Sequence, residues 1–293
     1  MPAPHDPRVV LVVGASSGIG RATAHRLAAL GDQLVLAARA EEPLEDAAAE
    51  CRERGASSVQ TVVLDVRDRD SVHQAVDEVL AEHGRLDAVV HTAAVVSVGR
   101  FEDVPADVFD AIVETNVLGV ANVARAVLPV MRSSRRGHLV LLGSVLGQTA
   151  APGMTPYVVS KWAVRSLGRQ LQLENRDVPD LHVTVVSPGP VDTPIYLQAA
   201  NYQGKAARAP HPVDPAARVA DSVVSALDRP RPAVSVGWAN PLMRFGFTAL
   251  PFVYDAVVGP LMRLMGQRSQ PVPPTTGNVL EPQPEVESVS GGN

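Results

Sequence analysis

The chain has little cysteine, few aromatic rings, no surplus of positive charge and no long unbroken apolar run. Its one cysteine, Cys51 in A-A-A-E-C-R-E-R-G, excludes an internal disulfide framework, so the reducing cytoplasm is the expected compartment. Cys51 itself reads as an inert surface or half-buried thiol. Aromatic residues are 4% of the 293 residues against 46% hydrophobic overall, so the core must be mostly Ala, Val and Leu. A formal net charge of −5 leaves no electrostatic footprint for nucleic acid. No Cys/His cluster has metal-ligand spacing, and no metal is expected. A spanning helix needs roughly 20 nearly uninterrupted apolar residues. The most apolar stretch, beginning at Asn240, is broken by Arg244, Asp255 and Arg263 and by Pro251 and Pro260. The amino terminus, M-P-A-P-H-D-P-R, is polar and proline-rich, unlike a secretory leader.

What is present is alternation. Short β-branched runs are expected as strands at Val9–Val13, Gln33–Ala38, Val59–Leu64, Leu86–Thr92, His138–Ser144, His182–Ser187 and Ala233–Gly237. Helical patterns fall between them, including a long one from about Pro105 to Met131 and another from Tyr157 to Asn175. This rhythm predicts an α/β fold, a doubly wound parallel sheet of seven strands covered on both faces.

Two motifs carry chemistry. In R-V-V-L-V-V-G-A-S-S-G-I-G-R-A-T, a buried strand runs into a glycine-rich turn and then a helix. Gly14, Gly18 and Gly20 allow a sharp turn and close ligand approach, and the helix's positive end suits a pyrophosphate. Farther on, Tyr157 and Lys161 in Y-V-V-S-K share one helical face. An ammonium beside a phenol is expected to lower its pKa from about 10 toward useful acid–base range. Ser144, at a preceding strand end, could hold a substrate oxygen beside that phenol.

The glycine loop spaced G-x-x-x-G-x-G, with Ser144, Tyr157 thirteen residues later and Lys161, resembles the short-chain dehydrogenase/reductase family over roughly residues 8–240. The resemblance implies one Rossmann-type domain, a nicotinamide cofactor and reversible oxidation of an alcohol to a carbonyl. It implies that Tyr157 is the acid/base, that Lys161 binds the nicotinamide ribose and depresses the tyrosine pKa, and that Ser144 orients the substrate. Asn116, in V-E-T-N-V, matches the asparagine that helps hold a proton-relay water. Cofactor contacts are implied at Gly14, Ser16, Ser17, Gly18, Ile19 and Gly20, at Asp65 and Val66 beside the adenine, at Ala93, and at Pro188, Gly189, Val191 and Thr193 in P-G-P-V-D-T-P. Two positions depart from the family: Val13 stands where a threonine is usual, and H-T-A-A, His91 to Ala94, replaces N-N-A-G. His91 reads as a packed histidine, and the substituted asparagine as a weakened support of the sheet.

After the second strand, Ala38 stands where enzymes using the non-phosphorylated cofactor place an acid, and Arg39 follows. A guanidinium can fork onto a 2′-phosphate, so NADP is the expected cofactor. The leading expectation is an NADP(H)-dependent oxidoreductase interconverting a secondary alcohol and a ketone. The alternatives are a catalytically silent nucleotide-binding regulator, or a membrane-associated dehydrogenase of lipid or steroid-like substrates. Residues 195–214 break the rhythm, with Tyr196 and Tyr202 either lining a pocket or covering a helix. Residues 241–266 leave three readings open: a lid, a subunit interface, or peripheral contact with a membrane surface. Residues 267–293 are rich in proline, serine and glycine and are expected to be a disordered tail. The family resemblance implies a homodimer or homotetramer through the helices bearing Asn116 and Tyr157.

Overall fold

The computed structural model describes residues 6–292. Seven strands, β1 (Val9–Val13), β2 (Gln33–Ala38), β3 (Ser58–Val63), β4 (Ala88–His91), β5 (Arg136–Leu142), β6 (Asp180–Pro188) and β7 (Ala233–Val236), form one sheet. Its order is β7-β6-β5-β4-β1-β2-β3, and every pairing in it is parallel. The order reverses direction at β1 and β4, whose carboxyl ends therefore open a crevice suited to a ligand.

Period-two alternation sorts the core into two layers. Val9, Leu11, Val35, Val89, Leu139 and Val183 point to one face, under α3 (Arg69–His83), α5 (Gly119–Ser133) and α6 (Thr155–Glu174). Val10, Val12, Leu34, Leu36, Val90, Val140 and Val186 point to the other, under α1 (Gly18–Ala28), α2 (Glu41–Glu53) and α7 (Ala216–Asp228). Cys51 is fully buried in that second layer rather than half-exposed, and burial pushes its thiol up to about 12. It is inert.

The long helix expected from Pro105 is interrupted. Helix α4 (Ala106–Val113) passes through a wider π turn, Glu114–Leu118, before α5 begins. The run Ala106–Ser133 is long and apolar enough to cross a membrane, yet 67% of its most apolar window is buried inside the protein, as a core helix is. After β7 the apolar stretch forms two helices, α8 (Asn240–Ala249) and α9 (Pro251–Met265), broken before Pro251.

The largest departure from expectation concerns the carboxyl-terminal segment. Residues 267–292 are ordered, not a disordered tail; Asn293 lies outside the described residues. Strand β8 (Gln267–Pro271) pairs antiparallel with Lys205–Ala207, Thr275 bridges to Asn201, and Val279 is fully buried with Val95, Val108 and Ile112. The segment follows the existing surface by donating and accepting backbone hydrogen bonds, which its polar composition does not forbid.

Candidate active site

The glycine loop leaves β1 and enters α1 at the crevice. Gly14 has φ +84°, and a Cβ there would stand 2.6 Å from the Ala93 backbone nitrogen, so loop and β4 end approach as only glycine allows. Thr92 ties the two together: its hydroxyl donates to the Val13 carbonyl at 2.8 Å and the Gly14 carbonyl at 3.1 Å. Sequence reasoning treated H-T-A-A as a loss at this point and missed that its threonine makes the tie. His91 is packed as expected, with burial, and secondarily the Lys161 charge, lowering its pKa to about 3.

One cavity of about 260 Å³ runs from this loop to the Tyr157 helix. It is lined by Gly14, Ser16, Ser17, Gly18, Ile19, Gly20, Arg39, Val66 and Ala93, by Ser144, Tyr157 and Lys161, and by Pro188, Gly189, Val191 and Thr193. The predicted residues thus converge, with two exceptions. Asp65 is absent from the cavity wall. Its carboxylate is held by the Arg67 side chain at 2.6 Å and by the Arg67 backbone N–H at 2.9 Å. Asn116 lies behind the wall, fully buried in the π turn. Its amide accepts from the Val95 N–H at 2.8 Å and donates to the Val95 carbonyl at 2.8 Å and the Ser160 hydroxyl at 3.0 Å. It therefore clamps the stretch after β4 to α6.

At the far end of the cavity the Ser144 hydroxyl lies near the Tyr157 phenol and accepts the Leu146 N–H at 3.1 Å. Lys161 is buried, its Nζ donating to the Leu142 carbonyl at 2.9 Å and lying 5.4 Å from the Tyr157 ring centroid. The expectation that Lys161 lowers the tyrosine pKa is not what this arrangement gives. Burial pushes the phenol up to about 12, nearby Ser144 opposing it, and burial brings the Lys161 ammonium down to about 8. Two chargeable groups are buried in one pocket, and each favours its neutral form.

Arg39 is mostly enclosed. Its Nη2 donates to the Asn278 carbonyl at 2.9 Å, while its Nη1 is buried without a hydrogen-bond partner. Much of the remaining wall is apolar, including Val96, Leu146, Met154, Ile195, Met243 and Met262, with Gln198, His211 and Tyr254 among its polar members. Tyr196 faces the cavity beside Tyr157, whereas Tyr202 packs away from it against the cluster around Val108. Helices α8 and α9 cover this wall, fastened by Arg244 to Gln148 at 3.1 Å and by the Tyr254 hydroxyl to the Ala150 carbonyl at 2.7 Å. Their other side is bare, with Leu242, Phe245, Phe252 and Leu264 all more than half exposed.

Residues 8–203 match the model of the short chain dehydrogenase family. The dehydrogenase/reductase SDR family member 7B of Bos taurus is 34% identical over 201 residues, 67% of this chain and 62% of that protein. The 11-beta-hydroxysteroid dehydrogenase 1A of Arabidopsis thaliana is 36% identical over 200 residues, 68% of this chain and 54% of that one. The matched stretch thus spans little more than half the length of these relatives. Among solved structures, the alcohol dehydrogenase of the archaeon Thermococcus sibiricus, complexed with 5-hydroxy-NADP, superposes with a TM-score of 0.68 at 30% identity. That match covers 79% of this chain and 95% of the other. A short-chain dehydrogenase/reductase from Burkholderia phymatum in complex with NAD gives 0.74 at 25% identity, covering 85% and 96%.

Proposed function

The chain belongs to the short-chain dehydrogenase/reductase family, and from that premise we propose that it is an NADP(H)-dependent oxidoreductase interconverting an apolar secondary alcohol and its ketone. The observation that carries the reading is the Tyr157 phenol, set near Ser144 and backed by a buried ammonium, in the same cavity as the glycine loop. A bound nicotinamide supplies or accepts the hydride; the protein supplies position and the proton. Ser144 holds the substrate oxygen against the phenol, which donates its proton as a carbonyl becomes an alkoxide. Lys161 steadies the phenolate left behind. Asn116 acts one layer back, by keeping α6 and the stretch after β4 in register. The apolar wall selects the substrate class and keeps water from the reacting carbon. A screen of ketones and secondary alcohols with both cofactors tests the reading, and absence of turnover throughout would favour the silent regulator.

Cofactor preference rests on Arg39. A buried, unpartnered guanidinium nitrogen calls for an anion, and no acid stands at Ala38 to receive a ribose hydroxyl. Arg39→Ala should weaken NADPH binding by ~10–100-fold, the worth of a charged hydrogen bond, and leave NADH nearly unchanged. Ala38→Asp should move preference further toward NADH by repelling the phosphate. Equal wild-type affinities for the two dinucleotides, measured by calorimetry, would reduce Arg39 to a structural residue.

Self-association is the second part of the proposal. Leu118 on the π turn and Val159, Trp162 and Leu173 on α6 are all well exposed, although the rest of these helices packs on the sheet. We read these as the two-fold interface of a homodimer or homotetramer. The bare side of α8 and α9 fits a different neighbour, a membrane surface, with α8 and α9 serving as lid over an apolar substrate. Light scattering should give a multiple of the chain mass, reduced to one by Leu118→Glu with Val159→Glu. Adding anionic vesicles should pellet the wild type and leave Phe252→Asp with Leu264→Asp in solution; a wild type that stays in solution would return α8 and α9 to a lid alone.

A further inference from the structure

The end of the chain lies on the nucleotide cradle. The Ser288 carbonyl accepts the Gly18 N–H at 2.8 Å, at the positive end of α1. The Glu287 carboxylate lies near the Ser16 hydroxyl and the Arg39 guanidinium, and its Oε2 is buried without a hydrogen-bond partner. The Asn278 carbonyl takes the Arg39 Nη2, and Ser290 and the Gly291 N–H close on the Asp192 carboxylate at 2.5 and 3.1 Å. Residues 288–291 thus hydrogen-bond the cradle at two stations, the glycine loop and the Val191–Thr193 turn, while Arg39 is met from Asn278, earlier in the chain. The glycine loop is where the sequence suits a pyrophosphate, and the turn carries cofactor contacts that the family resemblance implies.

We propose that residues 282–292 form an intramolecular strap that competes with the dinucleotide for the cradle, so that cofactor enters only as the strap lifts. This rests on the reading of the cradle as a dinucleotide site. The strap is moored, then loosely laid. Its mooring is Gly277 to Leu280. Gly277 has φ +54° and a would-be Cβ 2.2 Å from the Gln198 carbonyl, Val279 is fully buried, and Asn278 donates two hydrogen bonds to Gln198, at 2.9 and 3.1 Å. Beyond it, of the side chains from Glu281 to Ser290 only Val289 reaches the hydrophobic core. A stretch with so few buried apolar contacts opens at little cost. Its centre also carries a weakness. Glu287 puts a half-buried carboxylate there, and burial pushes its pKa up against the opposing pull of Ser16 and of the Arg39 and Arg21 charges. A dinucleotide brings phosphate oxygens to the same donors and leaves no carboxylate buried.

A strap closed most of the time lowers apparent affinity by the fraction of open molecules, ~10–100-fold for 1–10% open. The test compares the full chain with one ending at Glu281, which keeps Val279 and Leu280 in their cluster. Calorimetry should show the shortened chain binding NADPH at least ~10-fold tighter. In the full chain, saturating NADPH should speed cleavage after Glu285 and Glu287 by a glutamyl endopeptidase, because cofactor displaces the strap. Equal affinities, or cleavage slowed by cofactor as a closing lid would slow it, overturn the strap while leaving the cofactor reading intact. A shortened chain that binds neither NADPH nor NADH overturns both.

Discussion

Tyr157→Phe should lose ~10²–10⁴-fold in turnover while binding cofactor nearly as the wild type does, because only one hydroxyl goes. That hydroxyl is the group that stands near Ser144 in the cavity, and the ring stays to fill its place among Met154, Ile195 and Tyr196. The direction of the reaction enters through its pKa. Pushed up to about 12 by burial, the phenol holds its proton at neutral pH and is ready to donate to a ketone. Alcohol oxidation needs the phenolate instead, and its kcat/KM should climb as pH rises through the neutral and alkaline range. Ketone reduction should stay level or decline over the same range. Stopped-flow measurements of both directions from pH 6 to 10 read this. A Tyr157→Phe enzyme with wild-type turnover would remove Tyr157 from the chemistry, and a flat oxidation profile would mean that another group takes the proton.

The sheet was legible because its strands are nearly unbroken Val, Leu and Ala runs between glycine turns, and such runs satisfy both faces of a parallel sheet at once. The glycine loop and the Ser144, Tyr157 and Lys161 set were legible because each needs a residue type at a fixed spacing. Several features had no such signature. The pairing of Asp65 with Arg67, two residues on, is a local one that a motif does not encode. The tyrosine pKa was read from its neighbour's charge, but it is burial that dominates, and burial is a property of the whole fold. The carboxyl-terminal strap was read as disorder from its proline, serine and glycine. Its attachment uses backbone carbonyls at Asn278 and Ser288 and a left-handed Gly277, none of which composition reveals. Val279 and Val289 were the available signal: isolated apolar residues in a polar run can be moorings.

Lys161→Met should make the protein more stable and much less active. The ammonium is buried, its pKa brought down to about 8 from the usual 10.5 by desolvation. A lysine easier to deprotonate in the fold than in the open chain burdens the fold wherever it is charged in both states. Stability therefore rises with pH from about 8 toward 10.5, as the folded protein gives up a proton that the unfolded chain keeps. At pH 7 the burden amounts to ~3 kcal/mol. Methionine fills similar space without the charge, and forfeits ~1 kcal/mol for the donor lost to the Leu142 carbonyl. The balance predicts a Tm higher by several degrees at pH 7, with the gain fading as pH approaches 10. Turnover should fall ~10²-fold or more, since nothing then steadies the phenolate beside Ser144. Calorimetric melts at pH 7 and 9.5, set beside turnover at pH 7, separate the two effects. A Met variant that melts lower at pH 7 would mean that the lysine's hydrogen bond outweighs its burial. One that keeps its turnover would leave Tyr157 and Ser144 to carry the proton alone.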